Sequence, residues 1–512
     1  MPSSHTPSDC ASKSANLTAL PSRVVYAPPL YYQSIIGLLK PLYRLQVWRR
    51  SHKRDNYQQE VAQRFGKSYP ARPSGHLNAN TEMPVVNKGI IWCHAVSLGE
   101  TNTVAPLLDA LLADGYKIWL TNTTQTGFAR GASRFADEIA QGQMSHSYVP
   151  VDSPAVIDRF LTHVQPIAAL FVETELWANI LTKLSERDIP SILVNGRLSA
   201  SSFKSYQKIG AVSASMMKNL RLIIAQDNES AKRFRQLGAH SAQIRVAGSL
   251  KWVINTPKIV DNVRHTEPES DDSQKSNVSN QLLSQKAELA AALGVAGRPI
   301  WVAASTHSGE EDTVLAWHQQ LLSNSALANA LLIIVPRHPE RFDEVADLIQ
   351  NTALKMARRS AGDSINADTQ VYLADSMGEL MTWYTLADVA LVGGSLVDIG
   401  GHNPVEPASV ATPVLMGRYT QSCQSVVDKL AEVGALYQPH NPFYHSTNHD
   451  STTDDDNTLI YQQLTFWLSH LELAKLAGQA GEQMTKQQQA VLPRQFAMIT
   501  SIIEQHSGTE AV

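Results

Sequence analysis

Cysteine is scarce in this chain: Cys10, Cys93 and Cys423 are the only three among 512 residues. An odd, sparse count with no CxxC pair disfavours both a disulfide framework and a structural zinc site. It fits a reducing compartment. No uninterrupted apolar run reaches the roughly 18 residues expected of a membrane-spanning helix. There is no GxxxxGKS/T and no GxGxxG placed after a strand, which disfavours a P-loop nucleotidase and a dinucleotide dehydrogenase. HExxH is missing too, and His94, His307, His338 and His402 are scattered, so no metal site is expected. The net charge of −4 is too small and of the wrong sign for bulk binding of polyanions, and no nucleic-acid partner is expected.

The charge is unevenly placed. Residues 1–54 carry eight basic residues (Lys13, Arg23, Lys40, Arg44, Arg49, Arg50, Lys53, Arg54) against one acid, Asp9. A basic head on an acidic body points to an anionic surface met by the N-terminus. Within it, Tyr31, Tyr32, Ile35, Ile36, Leu38, Leu39 and Tyr43 lead into the run WRRSHKR, which Trp48 opens. Aromatic and aliphatic side chains beside cations suit a helix lying in the headgroup region of a membrane. The order of charge, apolar run and cleavage site that marks a secretory signal is absent. An N-terminal helix packed on the body is the alternative reading.

Beyond a polar segment at 68–88, short apolar bursts alternate with helix-length stretches. GIIWCHAV, YKIWLTN, PIAALFVET, SILVNG and LRLIIAQ read as buried parallel strands. Acid, Ser, Asn and Gln dominate 261–286, and the pattern then restarts with RPIWVAAST, ALLIIVPRH, TQVYLAD, ADVALVGGS and TPVLMG. A second polar insertion interrupts at 440–458. The fold class is therefore α/β, two Rossmann-like doubly wound domains, with a cleft expected between them onto which both sets of strand ends can open. The expected division is a membrane-associating segment at 1–67, a first domain at 85–255, a hinge at 256–290, a second domain at 291–490 and a tail at 491–512.

Most polar signatures directly follow a strand, where open α/β sheets hold ligands. SLGE places Glu100 after the first strand, as a general base for a hydroxyl or as a helix-capping carboxylate. VETELW places Glu173 and Glu175 after the third burst, as functional acids or as caps. GSLKW offers Lys251 to a phosphate or to solvent. STHSGEE opens a helix with hydroxyls, His307 and two glutamates, an anion site or a plain N-cap. PRHPER puts Arg337 at a strand end, for phosphate or carboxylate recognition or for a surface ion pair. DSMGEL and GGSLVDIGGHNPVEP carry glycines that allow close backbone approach, with Asn403 and Glu406 around Pro404. Glu406 can accept ribose hydroxyls.

In order along the chain, NYQQEVAQRFG, IWCHAVSLGE, TNTTQTG, VETELW, LVNGRLSASSF, AQDNESAKRFRQLGA, GSLKW, AASTHSGEE, VPRHPERF, DSMGEL and GGSLVDIGGHNPVEPA resemble the 3-deoxy-D-manno-octulosonic acid (Kdo) transferases of lipopolysaccharide assembly. The resemblance runs from about Tyr43 to Gly417. It implies a GT-B glycosyltransferase that moves Kdo from CMP-Kdo to a lipid A precursor (lipid IVA), inverting the anomeric centre, with no metal and no cofactor beyond the donor. It implies attachment to the cytoplasmic face of the inner membrane, in line with the basic head. By the same resemblance Glu100 is the base, and Glu173 and Lys251 stabilise the transition state. Pro336 and Arg337, Met377, Gly378 and Glu379, and Asn403, Pro404, Val405 and Glu406 hold the CMP. The chain departs from the pattern at Ala178, where proline is expected. The alternatives are a GT-B transferase with another nucleotide sugar, such as a UDP-sugar, and a non-catalytic nucleotide-sugar-binding protein.

Overall fold

The computed structural model describes residues 24–74, 87–253, 284–444 and 455–509. Lys13 and Arg23 of the basic head, 75–86 of the polar segment, 254–255 at the end of the expected first domain, 256–283 of the expected hinge, 445–454 of the second insertion and 510–512 of the tail lie outside the described residues. The chain forms two compact units, Met1–Gly248 with Gln495–Val512, and Ser249–Arg494.

The first unit holds seven strands: β1 (Ile90–His94), β2 (Lys117–Asn122), β3 (Met144–Tyr148), β4 (Ala168–Val172), β5 (Ser191–Gly196), β6 (Leu222–Ala225) and β7 (Ile244–Val246). All pair in parallel, in the order β3-β2-β1-β4-β5-β6-β7. Helices cover both faces, so β1 (IIWCH) and β4 (AALFV) are buried along their whole length rather than alternating. Trp92, Trp119, Phe160 and Phe171 interlock in the core, and the two indole N–H groups donate to Thr121 and Ser147 at 2.9 and 3.0 Å. Sequence order reverses between β1 and β4. This is the switch point, where such sheets place ligands.

The second unit repeats the plan with β8 (Ile300–Thr306), β9 (Leu331–Pro336), β10 (Met356–Arg358), β11 (Val371–Leu373), β12 (Val389–Val392), β13 (Val414–Leu415) and β14 (Leu436–Tyr437). These too are parallel, ordered β10-β11-β9-β8-β12-β13-β14, with the switch point between β8 and β12. Two doubly wound parallel sheets flanked by helices make this a GT-B-like architecture.

Ahead of the first sheet, Leu30–Ser51 is one helix in which Val47 and Ser51 are buried. Tyr32 donates to Asp152 at 2.6 Å near one end, and Arg50 bonds Glu60 at 2.8 Å near the other. Glu60 and Arg64 form a fully buried ion pair at 2.9 Å, and Arg64 also donates to Thr123 O and lies over the Tyr148 ring. The NYQQEVAQRFG motif thus fastens the N-terminal helices to the loop after β2. The last helix, Val491–Thr509, returns the chain to the first unit. There Gln495 accepts from Asn195 N and donates to Gly248 O, while Ile499, Ile502 and Ile503 are buried.

Candidate active site

At the first switch point, β1 ends at His94 and the chain turns into the helix Leu98–Ala113. Ser97 is its N-cap and accepts from Glu100 N at 3.4 Å, while Glu100 Oε2 accepts from Val96 N at 2.7 Å. Glu100 is therefore half of a reciprocal capping arrangement, and that arrangement fixes its carboxylate beside the strand end. The TNTTQTG loop supports it from the next strand. Thr123 N and Thr124 N both donate to Val96 O, and a Cβ on Gly127 would fall 3.0 Å from that same oxygen. Only glycine lets the two loops meet so closely.

On the other side of the switch, Glu173 follows β4 with φ at +59°, a left-handed conformation that is costly for a residue with a Cβ. Its backbone N–H is tied to Val194 O at 3.0 Å. Glu175 stands apart from it in environment. Burial pushes its carboxyl above the usual range, and burial followed by the Glu175 charge lifts Tyr206 to about 12. Tyr206 in turn donates to Thr174 O at 2.7 Å, fastening this loop. The topology thus brings the ends that carry Glu100 and Glu173 to neighbouring strands.

The second switch point is built differently. Glu310, in the first turn of the helix Glu310–Leu322, is completely buried. Its two oxygens accept four backbone N–H groups: His307 at 2.9 Å, Gly394 at 2.8 Å, Ser395 at 3.1 Å and Leu396 at 2.9 Å. Burial raises its pKa while these donors oppose the shift. The Gly393–Gly394 turn that reads as a site of close approach to a ligand is thus closed on an internal carboxylate. A Cβ on Gly393 would lie 2.4 Å from Ser305 O and 2.9 Å from Glu310 Oε2.

The other predicted residues of this unit sit around that clip. Lys251 Nζ donates to Ser422 O at 3.0 Å, and Asn403 Nδ2 donates to Lys251 O at 3.2 Å, so the GSLKW and GGHNPVEP motifs meet. Pro336 ends β9, and Arg337 N donates to Thr306 O at 3.1 Å. Met377 is 66% exposed on the turn with Gly378, whose φ is +87°. Glu379 is held below the usual carboxylate range by Arg359, at 2.7 Å, and then by Ser376. Pro404 and Val405 begin a short helix in which burial raises the Glu406 carboxyl and Arg337 opposes the rise. Sequence reasoning missed Arg359, which stands just past the edge strand β10, and the Glu310 clip. It also set aside His307 and His402, whose Nε2 atoms lie 2.8 Å apart.

Comparison with known proteins decides the family. The family model described as 3-Deoxy-D-manno-octulosonic-acid transferase (kdotransferase) matches residues 59–254. The 3-deoxy-D-manno-octulosonic acid transferase of Haemophilus influenzae is 34% identical over 478 residues, which are 93% of this chain and 99% of that one. The chain belongs to the Kdo-transferase family. A Bordetella pertussis Kdo transferase is likewise 34% identical, over 78% of this chain and 86% of the relative. Among solved structures, the C-terminal CMP-Kdo binding domain of WaaA from Acinetobacter baumannii is 36% identical over 39% of this chain and 96% of that one, with a TM-score of 0.33. The chain is thus a glycosyltransferase of the Kdo-transferase family, with one strand-end constellation in each unit. The first carries the acids Glu100, Glu173 and Glu175, and the second mixes Lys251, Arg337 and Asn403 with Glu310, Glu379 and Glu406.

Proposed function

We propose that this chain transfers Kdo from CMP-Kdo to a hydroxyl of the lipid A precursor lipid IVA, with inversion and without a resident metal. The observation that carries the reading is the 34% identity to a transferase of that name across 99% of its length. In the proposed step the acceptor oxygen bonds to the anomeric carbon as the bond from that carbon to the phosphate oxygen breaks. The hydroxyl proton goes to Glu100, and the electron pair stays on CMP. Glu173 and Lys251 stabilise the charge that develops, while Arg337, Met377, Gly378, Glu379 and the Asn403–Glu406 segment hold the nucleotide. The test is incubation of the purified chain with a CMP-Kdo-generating system and lipid IVA, read by product mass. A gain of one or more Kdo units is expected. No gain, with CMP still bound, overturns the acceptor.

The same reading places the helix Leu30–Ser51 in the headgroup layer of the inner membrane, on its cytoplasmic face. In support, Leu30, Leu38 and Leu42 are 83%, 75% and 60% exposed, and Arg49, Lys53 and Arg54 are exposed at the helix end. No helix among the described residues is long and apolar enough to cross a membrane.

A further inference from the structure

Three adjacent strand ends of the second unit converge on two histidines. His307 follows β8, Arg337 and His338 follow β9, and His402 is carried by the loop after β12, its N–H on Gly393 O at 3.2 Å. The His307 and His402 rings are within 7° of coplanar, their centroids are 5.1 Å apart and their Nε2 atoms 2.8 Å apart. These distances place the rings edge to edge in one plane, joined by an N–H···N hydrogen bond. One Nε2 must carry a proton and the other a lone pair. The neutral pair can therefore accept one additional proton, on the free Nδ1 of the ring that donates. A second would put hydrogen on both facing nitrogens and break the bond.

The surroundings keep the unliganded pair neutral. Burial first, then Arg337, His307 and His338, brings His402 down to about 4. His307 is lowered by burial, His338, Arg337 and Arg341, with Glu311 opposing. From the other packed elements, Glu310 is engaged by four N–H groups, and Cys423 Sγ donates to His402 O at 3.3 Å. Among the described residues no carboxylate lies within salt-bridge distance of Arg337. The backbone donors of the Gly-Gly turn are already spent on Glu310. Lys251 reaches Ser422 O nearby, and Glu406 feels the Arg337 charge, while Arg337, His338 and the histidine pair gather at the strand ends themselves.

We propose that the His307–His402 pair, beside Arg337, seats the nucleotide's phosphate and takes up one proton when that phosphate becomes a dianion. The inference rests on the CMP-linked donor proposed above. In the intact donor the phosphate is a diester with one negative charge. When the sugar's bond breaks, the electron pair left on oxygen makes a monoester, whose second ionisation lies near about 6. The second charge raises the pair's proton affinity, and a proton from solvent completes an imidazolium that donates to the phosphate. The pair thereby favours the departing nucleotide over the intact donor, and its charge appears as the leaving group's does.

The test is calorimetry of CMP binding to the full chain in buffers of differing ionisation enthalpy between about pH 7 and 8, where free CMP is a dianion, with cytidine as control. Expected is uptake of about one proton per CMP and none for cytidine, with affinity rising about tenfold per pH unit of acidification. His402→Gln keeps a donor near the Nε2 position but cannot take a proton. It should bind CMP with uptake and pH slope both close to zero, and His307→Gln should do the same. Full uptake in both variants assigns the proton to the phosphate itself and overturns the proposal. So does wild-type CMP binding without uptake, a result that needs no variant to fold. If CMP fails to bind the wild type, the donor reading fails and this inference falls with it; if CMP binds without proton linkage, only the inference fails.

Discussion

The two switch points use the same topology and spend their glutamates differently. In the first unit, Glu100 caps its own helix within a span of four residues, and its partner across the switch, Glu173, sits on a strained backbone. In the second, Glu310 reaches 84 to 86 residues along the chain to hold the loop after β12. A carboxylate engaged locally is oriented at small cost to the fold. One that satisfies four buried donors from two strand ends is a structural member. Position after a strand does not by itself separate the two roles; the sequence distance to the hydrogen-bond partner does.

That contrast is open to direct attack. Glu310→Ala leaves four N–H groups without their acceptor, and at about 1–3 kcal/mol for each unmet buried donor the second unit should lose at least about 4 kcal/mol. Urea unfolding should show it as a large drop in midpoint, and an unchanged midpoint would refute the clip. Glu100→Gln should behave in the opposite way. An amide oxygen still accepts from Val96 N, so the melting temperature should hold. The proposed base is gone, however, and kcat should fall by about 10²–10⁴-fold. Retained turnover would return Glu100 to a capping role alone. Outside both sheets, replacing Leu38 and Leu42 with Asp should reduce flotation with anionic vesicles by at least about tenfold while leaving the fold intact. Unchanged flotation would remove the membrane role of the exposed helix.

A separate effect falls on the acid stability of the first unit. Burial lowers His94 and His146 from 6.5 to about 4. As pH falls from 6.5 the unfolded chain takes up protons that the folded unit refuses, so stability is lost across that window and levels off below about 4. His146→Gln should make the pH dependence of the urea midpoint shallower.

Much of the architecture is legible in the apolar runs, since strands buried on both faces have no room for polar alternation. β3 is not, because MSHSY looks like a loop. Its polar groups are each taken up by a hydrogen bond: Ser145 donates to Ala71 O, His146 meets Asn122 at 2.7 Å and Ser147 accepts from Trp119. β7 (IRV) and β10 (MAR) each carry an arginine within three residues and β14 is only LY, so none of them stands out as an apolar run. At the site, the motif strings single out Glu100, Glu173, Lys251 and Arg337 as polar residues at strand ends. Neither the Glu310 clip nor the histidine pair is legible, because each joins residues brought together only when β8 and β12 pair. A search for metal-ligand spacing looks for His within a few residues of His, and 95 residues separate His307 from His402.

The returning helix also bears on how the molecule is made. The first unit is closed by Gln495 and the buried isoleucines behind it, at the far end of the chain from the sheet they complete. A ribosome adding about 5–20 residues per second needs on the order of tens of seconds to synthesise everything between. During that interval the nascent first unit presents an uncovered apolar strip. The second unit can finish folding before the first, and loss of the last turns of the chain would damage the half of the protein that was made earliest.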